Sequence, residues 1–445
     1  MSDLRSTPGR LGGPGWVPTA ALFRTAALGA GLALAAVLLR RPDLLYLAAP
    51  IVLAAALSLG RQAPSRPQAA LTLSEDVPFE GGRLEAKVRV IAPGADLVAV
   101  AVPVTGWVQP AGGRTGVVAG LPDQGGGLDL SVPLVARRWG RHQVGPAVVT
   151  VTAAAGLLRW GPRDLPAQTV RVVPLTDRFD GAADVPQARG AVGVHRSLRP
   201  GEGAELAGIR QFGAGDRLRR INWRVSLRAG ELHVNDTVAE RDAEVVVILD
   251  ARYDAGASGG IEGAASGVDI GVRAAAALAR FYLQLGDRVG LITHGERVLI
   301  LPAASGRRQL TRLLDALLDV RRPLVLTGEP ELLDPVGIDP RALVILLSPL
   351  VGATVFDRAA TLTRMGHPLV IVDTLPPKAT LSVGSPQFDP QWSGLALRVW
   401  RMQREARVHR LAELGVPIVA WRGAGSLDAV LRDLARARAA PRVRQ

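Results

Sequence analysis

Two uncharged apolar runs near the N-terminus constrain this chain more than any other feature of its sequence. Residues 25–39 and 44–59 contain no charged side chain, and only residues 40–43 separate them. Each run is shorter than the about 20 residues with which a helix spans a bilayer, but the first extends back to Val17 if the Arg24 side chain reaches the interface. The pattern therefore predicts a helical hairpin that anchors the chain in a cell membrane.

Two alternatives to a membrane hairpin are weaker. A cleaved signal peptide explains one apolar run, but not a second run that follows so soon. A hairpin buried in a soluble core is disfavoured because both flanks are charged. By the positive-inside rule, the excess of arginine on the flanks over the turn places both termini, and the domains that follow, in the cytoplasm. The arginines counted are Arg5, Arg10, Arg24, Arg61 and Arg66 on the flanks, and Arg40 and Arg41 in the turn.

Composition excludes several classes of chemistry. The chain has no cysteine, which excludes disulfides, thiolate nucleophiles and cysteine-ligated metals. Its only lysines, Lys87 and Lys378, do not lie in a Gly-Lys-Ser/Thr sequence, which excludes a Walker A loop. The formal net charge of +13 suits an anionic partner. Because the chain has apolar segments and no aromatic-and-basic nucleic-acid module, we expect membrane lipid rather than nucleic acid.

Changes in residue pattern divide the chain into five parts. After the N-terminal tail and two transmembrane helices, short β-forming runs separated by turn residues predict a small β-sandwich, and a polar, glycine-rich linker follows it. An unusual charged segment comes next. The remainder alternates apolar strands with amphipathic helices, which predicts an α/β domain with a mostly parallel sheet. The predicted bounds are residues 1–62, 68–175, 176–194, 195–243 and 244–445.

The predicted α/β domain suggests where a ligand would bind. In an open parallel sheet, the binding crevice lies beyond the carboxyl ends of the strands. The residues at these ends are Asp250, Arg252 and Asp254 after the first strand, and Ser348 and Asp373 after two later strands.

The charged segment before the α/β domain has a helical pattern of its own. We predict a short helix from Arg217 to about Arg228, with the Asp216 carboxylate as its N-terminal cap. Helical spacing would then direct one set of apolar side chains at the domain and leave a set of arginines exposed or paired with glutamates. The apolar set is Ile221, Trp223 and Leu227, the arginines are Arg219, Arg220 and Arg224, and the glutamates are Glu202, Glu205 and Glu240.

Eleven residues of this segment form one pattern, which consists of Glu205, Gly208, Arg210, Gly215, Asp216, Arg219, Arg220, Trp223, Ser226, Glu240 and Arg241. This pattern resembles the signature of the family named domain of unknown function 58. Residues 136–146 are also similar to the Arg-Arg-Gly-x-x-x-x-Gly-Pro segment of that family. The sequence departs from the family at Asn222, where Asp is usual, and at residues 153–158, where a string like Asp-Pro-Leu-Gly-Leu is usual.

The resemblance implies both a fold and a class of function. It implies a membrane hairpin and a β-rich region joined to a von Willebrand factor A-like domain. Members of the family are commonly encoded beside MoxR-type AAA+ ATPases and transglutaminase-like membrane proteins, and are regarded as partners in assembling, activating or inserting other proteins. The leading hypothesis is therefore a non-enzymatic, membrane-anchored interaction protein that docks such an ATPase through its basic segment and its strand-end crevice.

The resemblance also raises a metal site as a second hypothesis. A von Willebrand A domain that binds Mg²⁺ has an Asp-x-Ser-x-Ser loop after its first strand, whereas here the loop runs from Asp250 to Asp254 with Arg252 in place of the first serine. A guanidinium opposes a divalent cation and can neutralise the neighbouring carboxylates. We therefore expect an Asp–Arg salt bridge and no cofactor, and we disfavour a metal-dependent adhesion module.

The third hypothesis is an enzyme. No His-Glu-x-x-His or Gly-x-Ser-x-Gly sequence is present, and the six histidines are scattered and predicted to be turn or surface residues. The carboxylates of Glu202, Glu205 and Asp216 are chemically suited to general acid and base catalysis. Capping and ion pairing explain them without catalysis, so an enzyme that uses the carboxylates of residues 202–241 remains the alternative.

Overall fold

The structure is a computed structural model, and it divides into two compact units, residues 1–173 and 174–445. The predicted linker at 176–194 lies outside the residues that the structure describes, as do Gly215, Asp216, Arg219, Arg220, Glu240 and Arg241. The described residues are 15–60, 65–103, 106–113, 115–175, 200–213, 218, 221–238, 244–321, 338–340, 342–377 and 390–421.

A pair of helices opens the first unit. Helix α1 is Ala20–Leu38 and helix α2 is Asp43–Gly60. Helix α1 has the length and hydropathy of a membrane-spanning helix, whereas the apolar part of α2, Asp43–Ser58, is shorter than a span requires. The helices approach closely at Gly29, where a Cβ atom would lie 2.7 Å from Cγ2 of Val52. The prediction of an apolar N-terminal helix is confirmed, and the second span stays a prediction.

The rest of the first unit is built from antiparallel strands. They form a four-stranded sheet of order β2-β3-β7-β5, a five-stranded sheet of order β1-β10-β9-β4-β6 and a two-stranded sheet of β11 and β8, with the bounds that follow. The strands are β1 Val17–Pro18, β2 Gln68–Leu73, β3 Arg83–Ile91, β4 Ala95–Ala101, β5 Val108–Pro110, β6 Val117–Gly120, β7 Gly127–Ala136, β8 Gly140–Val144, β9 Ala147–Ala153, β10 Leu158–Leu165 and β11 Gln168–Val172.

These sheets share one hydrophobic core. Buried and exposed side chains alternate strictly along β3, where every second residue from Leu84 to Val90 is buried. Val88 of the four-stranded sheet lies in the same cluster as Val149 and Trp160 of the five-stranded sheet. The two larger sheets therefore bury their apolar faces in a common core, as in a β-sandwich.

The second unit begins with a hairpin and continues with a six-stranded sheet. Strands β12 (Pro200–Gln211) and β13 (His233–Val238) pair antiparallel, and the short helix α3 (Trp223–Ala229) lies between them in the chain. The further elements are β14 Glu244–Asp250, α4 Gly267–Gln284, β15 Arg288–His294, β16 Val298–Ala304, α5 Arg307–Leu317, β17 Leu343–Ser348, α6 Ala353–Arg364, β18 Leu369–Asp373, α7 Pro390–Glu413 and β19 Ile418–Ala420.

The six-stranded sheet has the order β16-β15-β14-β17-β18-β19, and only the β15–β16 pair in it is antiparallel. Helix α4 packs on the face that carries Leu249, because a Cβ atom on Gly271 would lie 2.6 Å from Cδ1 of Leu249. Ile248 points to the opposite face and clusters with Phe356 and Leu362 of α6. The sheet is therefore mixed and has helices on both faces, which explains why the run at Glu244–Asp250 is almost continuously apolar.

Candidate functional site

Four polar side chains end neighbouring strands of the six-stranded sheet. Asp250 ends β14 and pairs with His294 at the end of β15, and Ser348 ends β17 and pairs with Asp373 at the end of β18. Because β14 also pairs with β17, all four residues lie along one edge of the sheet. The sequence predicted three of them at this edge, namely Asp250, Ser348 and Asp373, but placed His294 among turn and surface residues.

Asp250 is bound by protein donors on both carboxylate oxygens. The Ser348 hydroxyl donates to Oδ2 at 2.8 Å, and the backbone N–H of Arg252 donates to Oδ1 at 3.2 Å. Burial raises the pKa of Asp250, and the hydrogen bonds from Ser348 and Arg252 and the Arg252 charge oppose this rise. The backbone N–H of Leu350 also donates to Ser348 Oγ at 3.0 Å, so the hydroxyl links the two loops.

The expected salt bridge between Arg252 and an aspartate does not form among the described residues. The Arg252 guanidinium instead lies 5.6 Å from the ring centroid of Tyr253, although the Arg252 residue is only 7% exposed. Within the described part of the chain, its Nη1 atom has no hydrogen-bond partner. The structure differs from the prediction because Arg252 binds Asp250 through its backbone N–H and not through its guanidinium.

His294 lies in the same region and corrects the prediction that the histidines are turn or surface residues. The residue is only 4% exposed, and both of its ring nitrogens are buried with no hydrogen-bond partner among the described residues. Burial, together with a smaller effect of the positive charge of Arg252, lowers the pKa of His294 from 6.5 to about 4. One sequence signal could have placed His294 at this edge, because His294 ends an apolar strand as Asp250 does.

The other two carboxylates of the edge have structural partners. Asp254 accepts the backbone N–H of Val268, in the first turn of α4, at 3.0 Å. Asp373 accepts the backbone N–H of Leu375 at 3.0 Å and forms an ion pair of 2.6 Å with Arg404 of α7, which the sequence analysis did not identify. This ion pair is largely buried and ties α7 to the end of β18.

The side chains at this edge of the sheet are not arranged to bind a divalent cation. No group of three or more His, Cys, Asp or Glu side chains that could hold a metal occurs in the described parts of the chain. The carboxylates of Asp250 and Asp254 accept protein N–H groups, and a buried guanidinium lies next to the first of them. Mg²⁺ requires several oxygen ligands in octahedral geometry, so the chemistry of the edge opposes a metal site.

Helix α3 begins later than predicted. Ile221, inside the predicted helix, forms an isolated antiparallel bridge with Val234 instead, and the described helix starts at Trp223. The predicted start, Arg217, lies outside the described residues. Asn222 is the cap, because its Oδ1 accepts the backbone N–H of Val225 at 3.2 Å. Its Nδ2 also donates to Oδ1 of Asn235 at 2.8 Å, a bond that an aspartate at position 222 could not donate.

The signature residue Ser226 holds α3 against β13, and Gly230 ends the helix. The Ser226 hydroxyl is buried, accepts the backbone N–H of His233 at 2.8 Å and donates to the carbonyl oxygen of Asn222 at 2.8 Å. Gly230 ends the helix with φ of +75°, a conformation that favours glycine. Ser226 and Gly230 therefore have structural roles.

The predicted orientation of α3 is right for one apolar residue and wrong for two. Ile221 is buried, at 8% exposure, whereas Trp223 and Leu227 are 62% and 82% exposed. Their outward position follows from the late start of the helix, since Ser226 rather than Trp223 or Leu227 faces β13. The arginines Arg224 and Arg228 are also exposed. We call these four side chains, Trp223, Arg224, Leu227 and Arg228, the α3 ridge.

The remaining signature residues in the described part lie on β12. Arg210 pairs with Val234 across the hairpin, is exposed and donates from Nη1 to the carbonyl oxygen of Gln211 at 3.1 Å. Gly208 pairs with Asp236. Glu205 belongs to the same strand, but its side chain lies outside the described part. The hairpin and α3 thus bring Arg210, Trp223 and Ser226 into one substructure.

Comparison with known proteins supports the family resemblance. Residues 208–413 match the model of the family described as protein of unknown function DUF58. Uncharacterised proteins of Mycobacterium bovis and of two Mycobacterium tuberculosis strains are 27% identical over 197 residues, which cover 42% of this chain and 59% of each relative. The chain therefore spans less than two thirds of the length of these curated relatives.

A solved structure, the pilus adhesin RrgA from Streptococcus pneumoniae, is similar at 10% identity with a TM-score of 0.15. This comparison covers 68% of the present chain and 41% of the adhesin. A score this low supports neither a shared fold nor a shared function.

Proposed function

We propose that this chain, whose residues 208–413 match the DUF58 family model, is a non-enzymatic, membrane-anchored interaction or assembly factor. The α3 ridge is its docking surface. The observation that supports this proposal most is the exposure of Trp223 and Leu227 on a helix that is capped by Asn222 and bonded to β13 through Ser226.

The ridge has the chemistry of a protein-binding hot spot. Trp223 and Leu227 are four residues apart and share one side of the helix, and Arg224 and Arg228 form a parallel row beside them. Trp and Arg are enriched among residues that dominate binding energy. Trp223 is 62% exposed. Burial of that part of an indole side chain of about 200 Å² would contribute about 3 kcal/mol before the costs of association.

The ridge is also held rigidly, which reduces the entropy lost on binding. The Asn222–Asn235 bond fixes the start of α3, and the Ser226–His233 bond fixes its middle against β13. A surface that is ordered before binding loses less conformational freedom when a partner docks. We expect the partner to offer an apolar pocket for Trp223 and carboxylates for the two arginines.

The family resemblance suggests the partner and the setting. We propose a MoxR-type AAA+ ATPase as the partner and a transglutaminase-like membrane protein as a further associate. The mixed sheet with helices on both faces, and the polar side chains at its strand ends, support a von Willebrand factor A-like assignment for residues 244–445. Helix α1 supports membrane anchoring, with a two-span hairpin and cytoplasmic domains as the proposed arrangement.

The two alternative functions have separate tests. A metal-dependent adhesion module predicts saturable binding of Mg²⁺ in calorimetric titration, and Asp250→Ala would abolish it. An enzyme that uses the carboxylates of residues 202–241 predicts an activity that Glu205→Gln and Asp216→Asn remove. The donor arrangement around Asp250 opposes the first alternative.

Copurification from native membranes tests the docking proposal. The full chain would be compared with a Trp223→Ala/Leu227→Ala variant and with a control, Leu285→Ala/Met365→Ala, which removes two other half-exposed apolar side chains of the same unit. We expect the wild type and the control to retain an AAA+ ATPase and the ridge variant to retain at least about 10-fold less. Recovery of no ATPase, or equal recovery by the ridge variant, would contradict the proposal.

A further inference from the structure

The first unit joins its helices to its β-strands at the turn between β9 and β10. Strand β1 pairs with β10, with Val17 opposite Arg159 and Pro18 opposite Leu158. Thr19, the next residue, donates its backbone N–H to the carbonyl oxygen of Leu157 at 2.9 Å. The chain therefore passes from the sheet into α1 with Val17 and Pro18 paired with β10 and Thr19 hydrogen-bonded to the turn.

The Thr19 side chain strengthens this junction. Thr19 occupies the N-cap position of α1, but its hydroxyl makes no capping bond to the helix. The hydroxyl donates instead to the carbonyl oxygen of Gly156 at 2.9 Å, with the carbonyl oxygen of Leu157 at 3.1 Å. A threonine at this position usually accepts a helix N–H, so Thr19 binds the turn in place of its own helix.

Both helices also contact the turn through apolar side chains. Leu22 of α1, Ala55 of α2 and Leu157 of the turn form one buried cluster, against which Ala154 packs. The turn itself has a constrained backbone, because Ala154 and Ala155 have φ of +55° and +54°, which is unfavourable for alanine. Its Gly156 N–H donates to Asp96 at 3.2 Å. These bonds and contacts fix the position of the turn against the helices.

We infer that this turn, residues 154–157, lies in the interfacial layer of the membrane and contacts lipid. The inference rests on the proposed insertion of α1. Helix α1 has 19 residues. At about 1.5 Å per residue it spans about 28 Å, close to the about 30 Å of the hydrocarbon layer, so its first turn must lie at the boundary. Because Leu157 packs against Leu22 in that first turn, the β9–β10 turn lies at the same depth.

The surface around the turn suits lipid. Ala155 is exposed, and the same end of the five-stranded sheet exposes Leu97, which pairs with Thr152, and Leu121, which follows Gly120. Arg159 is exposed two residues beyond the turn and is suited to lipid phosphate. Apolar side chains beside a basic residue are typical of the interface of an anionic membrane.

Because the natural chain has no cysteine, single introduced cysteines can report depth without background labelling. Ala155→Cys would carry an environment-sensitive fluorophore in the full chain, reconstituted in vesicles of phosphatidylcholine and phosphatidylglycerol. Lipids with a nitroxide quencher at the headgroup or deep in the acyl chain would then be added. Leu34→Cys, in α1, reports insertion of the helix. Val117→Cys is the control at the other end of the sheet, since Val117 pairs with Ala101 and Ala101 with Val148.

We expect headgroup nitroxide to quench the label at 155 several-fold more than the label at 117, and deep nitroxide to quench the label at 34. Quenching at 34 without quenching at 155 would overturn the lipid contact but leave membrane anchoring intact. Absence of quenching at 34 would overturn the insertion of α1 and the inference with it. Shielding of the label at 155 from aqueous iodide without lipid quenching would show that protein, not lipid, covers the turn.

A pair of matched threonine substitutions tests whether the junction sets this depth. Thr19→Val removes the hydroxyl bond to the turn, whereas Thr25→Val removes a hydroxyl that donates to the carbonyl oxygens of Ala21 and Leu22 in its own helix. We expect Thr19→Val to weaken headgroup quenching at 155 and Thr25→Val to leave it unchanged. Equal effects of the two variants would contradict the role of Thr19.

Discussion

The hydroxyl of Ser348 donates a 2.8 Å hydrogen bond to Oδ2 of Asp250 across two neighbouring parallel strands, β17 and β14. The two residues are 0% and 3% exposed. In a metal-binding loop the oxygens of such residues would face a cation, but here they satisfy each other. This end of the sheet is therefore organised as a buried network of polar side chains and backbone groups.

Loss of the Ser348 hydroxyl should destabilise the end of the sheet. Ser348→Ala leaves a buried oxygen of Asp250 without its donor, and we expect a loss of about 1–3 kcal/mol in the free energy of local opening. Hydrogen exchange of the β14 and β17 amides, followed by mass spectrometry, measures this change. Thr311→Ala is the control, because that hydroxyl is exposed and bonds to Arg307 of its own helix. Equal protection in the two variants would contradict the network.

Stability should fall with acidity because His294 is buried. Its pKa is lowered from 6.5 to about 4, so the unfolded chain binds a proton in this window that the folded chain does not. The stability contributed by neutral His294 is complete above pH 6.5 and is lost as the pH falls towards 4, by about 3 kcal/mol in total. We expect His294→Phe to remove this dependence in pH-dependent denaturation.

Asp250 gives an internal comparison for the pH experiment. Its pKa is raised by burial, so its proton is retained in the folded state and lost from the unfolded state as the pH rises through the ordinary value of 3.8. The stability that protonated Asp250 contributes is therefore lost with rising pH, opposite in sign to the effect of His294. Asp250→Asn should remove only this component. An unchanged acid dependence in His294→Phe would show that another group controls it.

The cap of α3 should tolerate the residue that is usual in the family. Asn222→Asp keeps an oxygen for the Val225 N–H, and Asn235 can then donate through its own amide, so we expect a change below about 0.5 kcal/mol. Asn222→Ala should lose about 1 kcal/mol. Exchange of the Val225 amide distinguishes the two variants. Loss of protection in Asn222→Asp equal to that in Asn222→Ala would contradict the proposed rearrangement.

The exposed ridge residues should contribute little to folding. We expect Trp223→Ala and Leu227→Ala to change the free energy of unfolding by less than about 0.5 kcal/mol, because their side chains are largely solvated. Ile221→Ala, a buried neighbour, should lose about 2–4 kcal/mol. Denaturation of the purified chain compares them. A large loss of stability in the Trp223 or Leu227 variants would show that these side chains are structural.

Local sequence patterns predicted the sheets because the burial of a strand determines which of its residues are apolar. The apolar run at Glu244–Asp250 and the strict alternation of Arg83–Ile91 both follow from how many faces of a strand are covered. The edge position of Asp250, Ser348 and Asp373 followed from the parallel order of strands.

Other features depend on contacts between distant segments. The two residues of β1 form a strand only because β10 lies beside them. Helical spacing defines the sides of α3 but not which side meets β13, and the choice of Ser226 over Trp223 depends on its bond to His233. Arg252 appeared suited to a salt bridge from charge alone, whereas its loop directs the backbone to Asp250.

Site-specific photocrosslinking in native membranes tests the docking surface most directly. The full chain would carry a photoreactive phenylalanine analogue at Trp223, with a second chain labelled at Leu285 as the control, since that residue is 50% exposed in the same unit. We predict a crosslinked product between position 223 and an AAA+ ATPase, identified by mass spectrometry, and no such product from position 285. Crosslinking of position 223 only to lipid or to the chain itself, with ATPase present in the membranes, would contradict the proposed function.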